Sequence, residues 1–313
     1  MLEVDEIPGP VAGPGEVLVD LSFSGINPSD CNRRRGIRDR PGYPIIIPHN
    51  DGAGVIRAVG AGVNPDRIGE RVWIWNGQRR RAFGTAAQYI AIASANAVRL
   101  PDTMTFEQGA CLGVPAMTAY ESLFADGDIA GMRVLVTGGA GAVGHYAIQF
   151  AKLAGARVVI ATVSSDTKAA HAALAGADVV INYRSEDVVS RVLDITQGEG
   201  VDRISEVDFG VNLPLTAKIL ANNASVGAYG SAGEYEPRFP ILPFLYKDAN
   251  VRLLQCNLMP LSLRAEGTDR ITRWCAEERL VHAIGRIFAL EDVAEAHEIV
   301  ESKSVVGNVL LKI

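Results

Sequence analysis

The feature that most constrains the fold is a glycine-rich turn between an apolar strand and a helix. The stretch VTGGAGAVGHYAIQFAKLAGA contains a complete GxGxxG motif. In such a motif glycine permits a tight turn, close approach of the backbone to a pyrophosphate, and close packing of the helix on the strand. The helix N-terminus adds unpaired N–H groups and the positive end of the helix dipole. The residues expected to face a dinucleotide here are Gly139, Gly141, Ala142, Val143 and Gly144.

The sequence around the turn has the context that the motif requires. Apolar residues precede it, and Ala147, Phe150, Ala151 and Ala154 follow at i, i+3, i+4 and i+7, which is the spacing of a buried helix face. The alternative is a glycine-rich turn that occurs by chance. Such a turn would need neither the apolar strand before it nor the helix after it. The stretch therefore predicts dinucleotide binding.

The rest of the chain changes its pattern near Phe106. Before that point the chain is rich in short alternating or β-branched runs such as GEVLVDLSFSG, RVWIW and AQYIAIA, which predict a small β-barrel. From MRVLVTG to ASVGAYG, strands and helices alternate, which predicts a parallel sheet of βαβ units. Two helices, TDRITRWCAEERLVHAI and ALEDVAEAHEIVES, and a strand, NVLLK, follow, with no further complete βαβ unit expected. The predicted domains are residues 1–116, a dinucleotide domain at 117–256, and a return to the first domain at 257–313.

The end of the second strand indicates which dinucleotide is bound. An NAD site usually has an acidic residue there, about 20 residues after the glycines, to bind the ribose hydroxyls. Here Ala161 and Thr162 take that place, and Ser164, Ser165 and Lys168 follow. Hydroxyl groups and a cation suit a 2′-phosphate, so we predict NADPH. Asp166 opposes this interpretation unless it faces away as a helix cap.

Composition excludes several other classes of protein. The formal net charge is −6, which disfavours nucleic acid and anionic membranes as partners. No apolar run approaches the roughly 18 residues of a membrane span. The four cysteines are scattered without a CxxC pair, and the first residues, MLEVDEIPGP, lack the basic and apolar regions of a signal peptide. We therefore expect a cytoplasmic protein without a disulfide framework and without a membrane partner.

Several further motifs, in order along the chain, resemble one family. They are SGINPSD, DGAGVIRAVGAGV, GERVW, AQYIAI, LPDTMTFEQGACLGVPAMTAYESLF, the glycine turn, GADVVINYRSEDV and LEDVAEAHEIVES. They are similar to the quinone oxidoreductase (zeta-crystallin-like) branch of the medium-chain dehydrogenases/reductases. The resemblance implies an α/β fold, in which a Rossmann doubly wound parallel sheet accompanies a GroES-like β-barrel domain. It also implies an active cleft between the domains and a homodimer or homotetramer.

The resemblance assigns roles to individual residues. Asn27 matches an asparagine beside the nicotinamide and the substrate, and Thr118 matches a threonine that contacts the cofactor. Lys168 and Tyr183 match contacts to the 2′-phosphate end of the adenosine. Gly230 and Ser231 match a loop that lines the nicotinamide. Tyr183 has a structural alternative, an aromatic ring that covers a strand end.

Zinc-containing relatives in the superfamily hold their catalytic zinc with Cys, His and Cys, but this chain departs from that pattern. The matching positions are Asn27, Asn50 and Val114, and catalytic zinc normally needs three protein ligands and a water. His49 lies one residue from the histidine position, where a structural role is expected. We therefore predict no metal. A tyrosine of some quinone reductases is replaced by Asn32, so the substrate pocket is expected to differ.

The function that follows is NADPH:quinone oxidoreductase activity, in which a hydride passes to a quinone or another α,β-unsaturated carbonyl. The protein would supply orientation and electrostatics, with Asn27 orienting the substrate, and with Asp30 and Asp51 as weaker acid–base candidates. Two alternatives stay open. One is reduction of enoyl thioesters or alkenals on the same scaffold, and the other is an NADPH-binding protein without enzymatic activity.

Overall fold

The computed structural model describes residues 2–37 and 42–313. Its chain separates into two compact units, one of residues up to Pro115 together with Thr268–Ile313, and one of Ala116–Gly267. Two helices, α3 at Gly113–Phe124 and α9 at Leu261–Ala276, run across the boundaries of these units. The sequence-based boundary placed residues 257–267 with the C-terminal segment, whereas the structure packs them with the second unit.

The first unit is built on a β-sheet. Its strands and helices are β1 (Glu16–Ile26), α1 (Pro28–Arg34), β2 (Asp51–Val59), β3 (Arg71–Ile74), β4 (Tyr89–Ala93), β5 (Ala97–Arg99), α2 (Phe106–Ala110), β12 (Ile284–Ala289), α10 (Val293–Ser302) and β13 (Asn308–Lys312). The strand order is β12-β13-β1-β2-β3-β5, and β4 pairs with β1. Alternate residues of the strands, such as Val17, Val19 and Leu21, point into one core. The predicted β-rich first third of the chain is confirmed.

The C-terminal segment adds a βαβ unit that we did not predict. β12 and β13 are parallel, and α10 connects them. Antiparallel pairing of β13 with β1, for example Ser24 opposite Leu311, then joins the end of the chain to its beginning. The expectation of no further βαβ unit was wrong because the strand IGRIFA was not recognised. Most of its residues are exposed, so its apolar pattern is weak.

The second unit consists of strands that alternate with helices. They are β6 (Arg133–Val136), α4 (Ala142–Leu153), β7 (Val158–Val163), α5 (Asp166–Leu174), β8 (Val179–Asn182), α6 (Val188–Ile195), β9 (Val201–Glu206), α7 (Phe209–Ile219), β10 (Leu220–Ala228), α8 (Ile241–Leu245) and β11 (Asn250–Leu253). The order β11-β10-β9-β6-β7-β8 is parallel throughout. This is a doubly wound sheet, as predicted, and its direction of winding changes between β6 and β9.

Two helices differ in extent from the sequence-based prediction. α7 was expected over PLTAKILANN, but it begins at Phe209 and ends at Ile219, and Leu220 already starts β10. α9 ends at Ala276 rather than continuing through VHAI. Glu278 has φ 53°, and N–H groups of Glu278 and Arg279 donate to the carbonyls of Cys275 and Trp274. These bonds are the two of a Schellman motif, which stops a helix.

Two further features are the length and polarity of the helices and the state of the cysteines. Among residues 2–37 and 42–313, the helices are each too short or too polar to cross a membrane. Cys31, Cys111, Cys256 and Cys275 are all buried as free thiols.

Candidate functional site

The glycine turn has the geometry of a dinucleotide-binding turn. Gly138 takes a left-handed φ of 65°, and the turn closes through a bond from the Gly141 N–H to the Gly138 carbonyl. A Cβ on Gly139 would lie 2.8 Å from the Cβ of Ala161 in β7, and one on Gly144 would collide with the backbone of the turn. The glycines at 139 and 144 therefore allow β7, the turn and α4 to pack against one another.

The N-terminus of α4 faces solvent and has no side-chain cap. Gly141 is the N-cap residue and is exposed, and Ala142 and Val143 are half-buried. The first N–H groups of a helix have no partner within the helix. The turn thus presents backbone donors and the positive end of a twelve-residue helix to any anion that reaches it.

The end of β7 brings together the residues expected to recognise a 2′-phosphate. The Lys168 ammonium donates to the Ser164 hydroxyl at 3.2 Å, and the Ser165 hydroxyl caps α5 by accepting from the Lys168 N–H. Asp166 is therefore not the cap that we considered. It is exposed, and its carboxylate accepts a bond from the Asn182 amide at 3.4 Å. The Ser164 and Ser165 hydroxyls and the Lys168 ammonium therefore follow the end of β7. The Asp166 carboxylate is instead hydrogen-bonded to Asn182, the last residue of β8.

Tyr183 follows β8 directly. Its N–H donates to the Val163 carbonyl at 3.0 Å, which holds Tyr183 beside the end of β7, and its side chain is 53% exposed. The half-exposed ring is available to a ligand at this edge of the sheet. Thr118, in contrast, is a buried residue of α3. Its contact with a cofactor stays a prediction.

The loop after β10 contains Gly230 and Ser231. The Gly230 carbonyl accepts from the Phe209 N–H at 2.9 Å, and the Ser231 hydroxyl accepts from the Gly210 N–H at 2.9 Å. Both bonds attach the loop to the N-terminus of α7, beside the end of β9. The loop therefore has a defined position at the carboxyl edge of the sheet, where ligands of doubly wound folds bind.

Glu206, the last residue of β9, was missed by the sequence analysis. It is fully buried, and its Oε1 accepts bonds from the Thr137 hydroxyl, the Asp208 N–H and the Asn212 amide. Burial raises the pKa of this carboxyl above its ordinary value. The sequence holds only a weak signal for this residue, because β9 already contains Asp202 and Arg203, so a glutamate at its end does not stand out.

The first unit has its own polar site, around Asn27. Asn27 caps α1 after β1 ends, and its N–H donates to Asp30 at 2.9 Å. Its side-chain amide donates to the Asp51 carboxylate at 2.6 Å, and the Val114 N–H donates to the other Asp51 oxygen at 2.8 Å. The amide of Asn50 donates to Asp30 at 2.9 Å.

This site has unusual electrostatics because two carboxyl groups are buried together. Burial and the neighbouring Asp30 raise the pKa of Asp51 well above its ordinary value. Burial also raises the pKa of Asp30 to about 6, against hydrogen bonds from Asn27 and Asn50 that lower it. The pair fixes the amide of Asn27 with its nitrogen toward Asp51, which leaves the second N–H of that amide for another acceptor.

The positions that would hold zinc are instead parts of this network. The amides of Asn27 and Asn50 bind the two aspartates, and the Val114 side chain is apolar. Within the described parts of the chain, no group of three or more His, Cys, Asp or Glu side chains could hold a metal ion. The donor set does not fit zinc, and catalysis without metal stays a prediction.

His49 belongs to a buried chain of hydrogen bonds. Its Nε2 lies 2.8 Å from Nε2 of His297 in α10, and its Nδ1 lies 2.9 Å from the Ser24 hydroxyl. Ser24 in turn contacts the Thr85 hydroxyl at 2.9 Å, and Thr85 donates to the Asp51 carbonyl. Burial lowers the pKa of both histidines, to about 4 for His297. This series of hydrogen bonds links α10 to β2, the strand that begins at Asp51.

Comparisons with known proteins agree with both units. A family model of the alcohol dehydrogenase GroES-like domain matches residues 13–102, and a model of zinc-binding dehydrogenases matches residues 142–260. The chain is 28% identical to human quinone oxidoreductase over 317 residues, which cover 98% of this chain and 92% of the relative.

Two solved structures show the same similarity. An NAD-dependent alcohol dehydrogenase has a TM-score of 0.88 and 29% identity, with 99% of this chain and 95% of that chain covered. An Escherichia coli quinone oxidoreductase complexed with NADPH has a TM-score of 0.87 and 27% identity, with the same coverage of both chains.

Proposed function

Because this chain belongs to the medium-chain dehydrogenase/reductase superfamily, we propose that it is an NADPH-dependent oxidoreductase that reduces quinones or similar conjugated carbonyls. The observation that carries the cofactor preference is the end of β7. There Lys168 and Ser164 are hydrogen-bonded, and Asp166 is bound by Asn182. An ammonium and hydroxyls suit a doubly charged phosphate better than a carboxylate does.

The residues present fit a dinucleotide. The uncapped N-terminus of α4 would hold the pyrophosphate, Ser164, Ser165, Lys168 and Tyr183 the adenosine end, and the loop of Gly230 and Ser231 the nicotinamide end. When bound, the reduced nicotinamide supplies a hydride. We place the substrate carbonyl near Asn27, whose second amide N–H would donate to the oxygen as negative charge develops on it. Asp51 orients that amide.

The acceptor is proposed from the relatives, since two of them are named quinone oxidoreductases. Its test is a screen of NADPH oxidation with quinones, alkenals and enoyl-CoA thioesters, beside NADPH binding measured by fluorescence. Highest kcat/KM with quinones supports the proposal. Preference for thioesters or alkenals would replace the acceptor, and tight NADPH binding without oxidation by any acceptor would point to a binding protein.

The cofactor preference has its own test in Lys168→Glu. This variant places a carboxylate beside Ser164, so KM for NADPH should rise about tenfold or more while KM for NADH changes little. Lys152→Glu is the matched control, because Lys152 lies at the far end of α4 in an ion pair with Asp178. Equal effects of Lys168→Glu on the two cofactors would remove the assignment. A NAD-dependent neighbour makes this comparison necessary.

We further propose that the protein forms a homodimer through its second unit. β11 is the edge strand of the parallel sheet, and large apolar side chains on it and in the segments that flank it in sequence are more than half exposed. They are Ile241, Leu242, Leu245, Tyr246, Leu253, Leu258 and Leu261, which we call the α8–β11 surface. An apolar surface and an unpaired strand edge are features that a second copy would cover. Absence of nucleic-acid and membrane partners, and a cytoplasmic location, stay predictions.

A further inference from the structure

We propose that Glu206 is a positioning residue that joins the glycine turn to the loop at 230–234. The inference rests on the proposed function, because these two segments are the ones expected to hold the pyrophosphate and the nicotinamide end of the dinucleotide. It adds a residue to the site that neither the glycine motif nor the loop reveals.

The place of Glu206 in the sheet is the first argument. It ends β9, and Thr137 follows the end of β6, and these two strands are neighbours. Between β6 and β9 the sheet changes its direction of winding, which is the point at which doubly wound folds bind their ligands. Thr137 is also the residue immediately before Gly138, the first residue of the glycine turn.

The hydrogen bonds of Glu206 are the second argument. Its Oε1 accepts from the Thr137 hydroxyl at 2.9 Å on the side of the turn. On the other side it accepts from the Asp208 N–H at 2.6 Å and the Asn212 amide at 2.8 Å. The Thr137 hydroxyl also accepts from the Val207 N–H at 2.9 Å. One carboxylate oxygen thus connects the beginning of the turn to the segment between β9 and α7.

Asp208 continues the connection to the loop at 230–234. The Gly233 N–H donates to the Asp208 carboxylate at 3.0 Å, and Ser231 and Asp208 form a β-bridge. A Cβ on Gly210 would lie 2.7 Å from the Ser231 hydroxyl, so the contact between α7 and the loop is tight. A displacement of Glu206 would therefore be transmitted to the turn and to the loop together.

The cost of this arrangement is the third argument. Glu206 is fully buried, and among the described residues its second oxygen, Oε2, has no hydrogen-bond partner. A buried polar group without a partner is destabilising, and such exceptions concentrate at functional sites. An apolar residue at the end of β9 would remove the unpaired oxygen, but it would leave Thr137, Asp208 and Asn212 without a common acceptor.

The first test compares Glu206→Leu with Asp202→Leu. An apolar residue is needed because glutamine would retain an acceptor oxygen at the position of Oε1. Asp202 lies on the same strand and also connects β9 to β6, through bonds from Arg133 at the opposite edge of the sheet. Both variants should lower the melting temperature. Only Glu206→Leu should raise the Kd for NADPH, by about tenfold or more, whereas Asp202→Leu should stay within about twofold of wild type. Equal Kd values for Glu206→Leu and wild type, or equal increases in the two variants, would overturn the proposal.

The second test does not need a cofactor. Hydrogen exchange of the free protein should speed up at residues 137–141 and at 230–234 together in Glu206→Leu, and at neither segment in Asp202→Leu. Faster exchange at one segment alone would show that Glu206 does not couple them. Thr137→Val, which retains the shape of the side chain, should reproduce the effect if Glu206→Leu does not fold. If wild type binds neither NADPH nor NADH, the proposed function fails, and the exchange result still decides the role of Glu206.

Discussion

At the scale of single residues, Asn27 shows how a short polar side chain acquires a defined orientation. Its amide is held between the end of β1 and the beginning of β2, with the nitrogen toward the Asp51 carboxylate at 2.6 Å. The Asp51 oxygen accepts from the amide nitrogen, and this contact sets which end of the amide faces Asp51. The buried aspartate is therefore part of the mechanism that we propose for Asn27, although it would not touch the substrate.

Replacement of Asn27 tests that mechanism. Asn27→Ala should lower kcat by about a hundredfold, the effect expected when one donor to a developing negative charge is lost. KM for NADPH should stay within about twofold, because the adenosine end is bound elsewhere. The variant should also lose about 1–3 kcal/mol of unfolding free energy, since Asp51 loses a buried donor. Asn64→Ala, at an exposed helix cap of the same unit, is the control. Unchanged kcat in Asn27→Ala would remove Asn27 from catalysis.

The sequence predicts some of these residues and misses others for physical reasons. Lys168 and Ser164 follow a recognisable strand and motif, so their proximity could be expected from spacing alone. Glu206 and His297 could not be found that way. Their partners, such as Thr137 and His49, are 69 and 248 positions away in the chain, and only the sheet and α10 bring them together.

At the scale of elements, two glycines of the same turn have separable tasks. A Cβ on Gly139 would lie 2.8 Å from Ala161 and 3.1 Å from Ile148, inside the packing of α4 on β7. A Cβ on Gly141 would lie 3.3 Å from the Gly138 carbonyl, and Gly141 is exposed with an ordinary φ of −76°. We therefore expect the first glycine to be needed for folding, and the second for access of a ligand to the backbone.

Alanine variants should separate these tasks. Gly139→Ala should lower the unfolding free energy by about 1–3 kcal/mol, the usual effect of overpacking. Gly141→Ala should change stability by only about 0.5 kcal/mol, because its φ is ordinary and its Cβ meets a single carbonyl oxygen, at 3.3 Å, yet it should weaken NADPH binding by about tenfold. Denaturant unfolding and fluorescence titration measure the two effects. Full NADPH affinity in Gly141→Ala would show that the phosphates do not approach the turn there.

Elements with a strong apolar period are the ones that sequence analysis places well. The strands and helices from β6 to β9 agree with their predictions within a few residues, since both faces of a parallel sheet are buried. β11 and β12 were missed because edge positions leave many of their residues exposed, so neither alternation nor a continuous apolar run is present. The end of α9 was missed because Glu278, and not glycine, takes the left-handed position of its Schellman motif. The sequence therefore has no recognisable signal that the helix ends there.

At the scale of the whole molecule, the exposed α8–β11 surface is the feature from which we propose a dimer. Large exposed apolar patches on a monomer mark interaction sites, and unpaired strand edges favour association. The net charge of −6 opposes indiscriminate aggregation of such a surface. A specific dimer would cover the apolar surface without indiscriminate aggregation.

Leu253→Lys tests the dimer. It places a charge on the edge strand β11, where Leu253 is 74% exposed, so the sedimentation coefficient should fall from that of two chains to that of one. Leu174→Lys is the matched control, because Leu174 is 68% exposed in α5 of the same unit and should leave the dimer intact. A wild-type protein that sediments as one chain at micromolar concentration would contradict the proposal.

The stability of the first unit should depend on pH through two opposing sets of buried groups. His49 and His297 stay neutral in the folded protein, and the pKa of His297 is about 4, below its ordinary value of 6.5. The unfolded chain therefore takes up protons first as pH falls from 6.5 to 4, and this difference lowers stability in that interval. Asp30 acts in the opposite direction. Its pKa of about 6 lies above 3.8, so the folded state retains a proton that the unfolded state has released, and stability is lost as pH rises through that range.

Two variants separate these effects. In His297→Phe the loss of unfolding free energy between pH 6.5 and 4.5 should be smaller than in wild type, by up to about 1.4 kcal/mol for each pH unit over which His297 differs in protonation. In Asp30→Asn, which retains an acceptor oxygen for only one of its two donors, the same loss should be larger than in wild type, because the opposing group is gone. Denaturant titrations across this pH interval give both slopes. If the two variants changed the slope in the same direction, the histidine chain and the aspartate pair would not be the groups that set the acid stability of this unit.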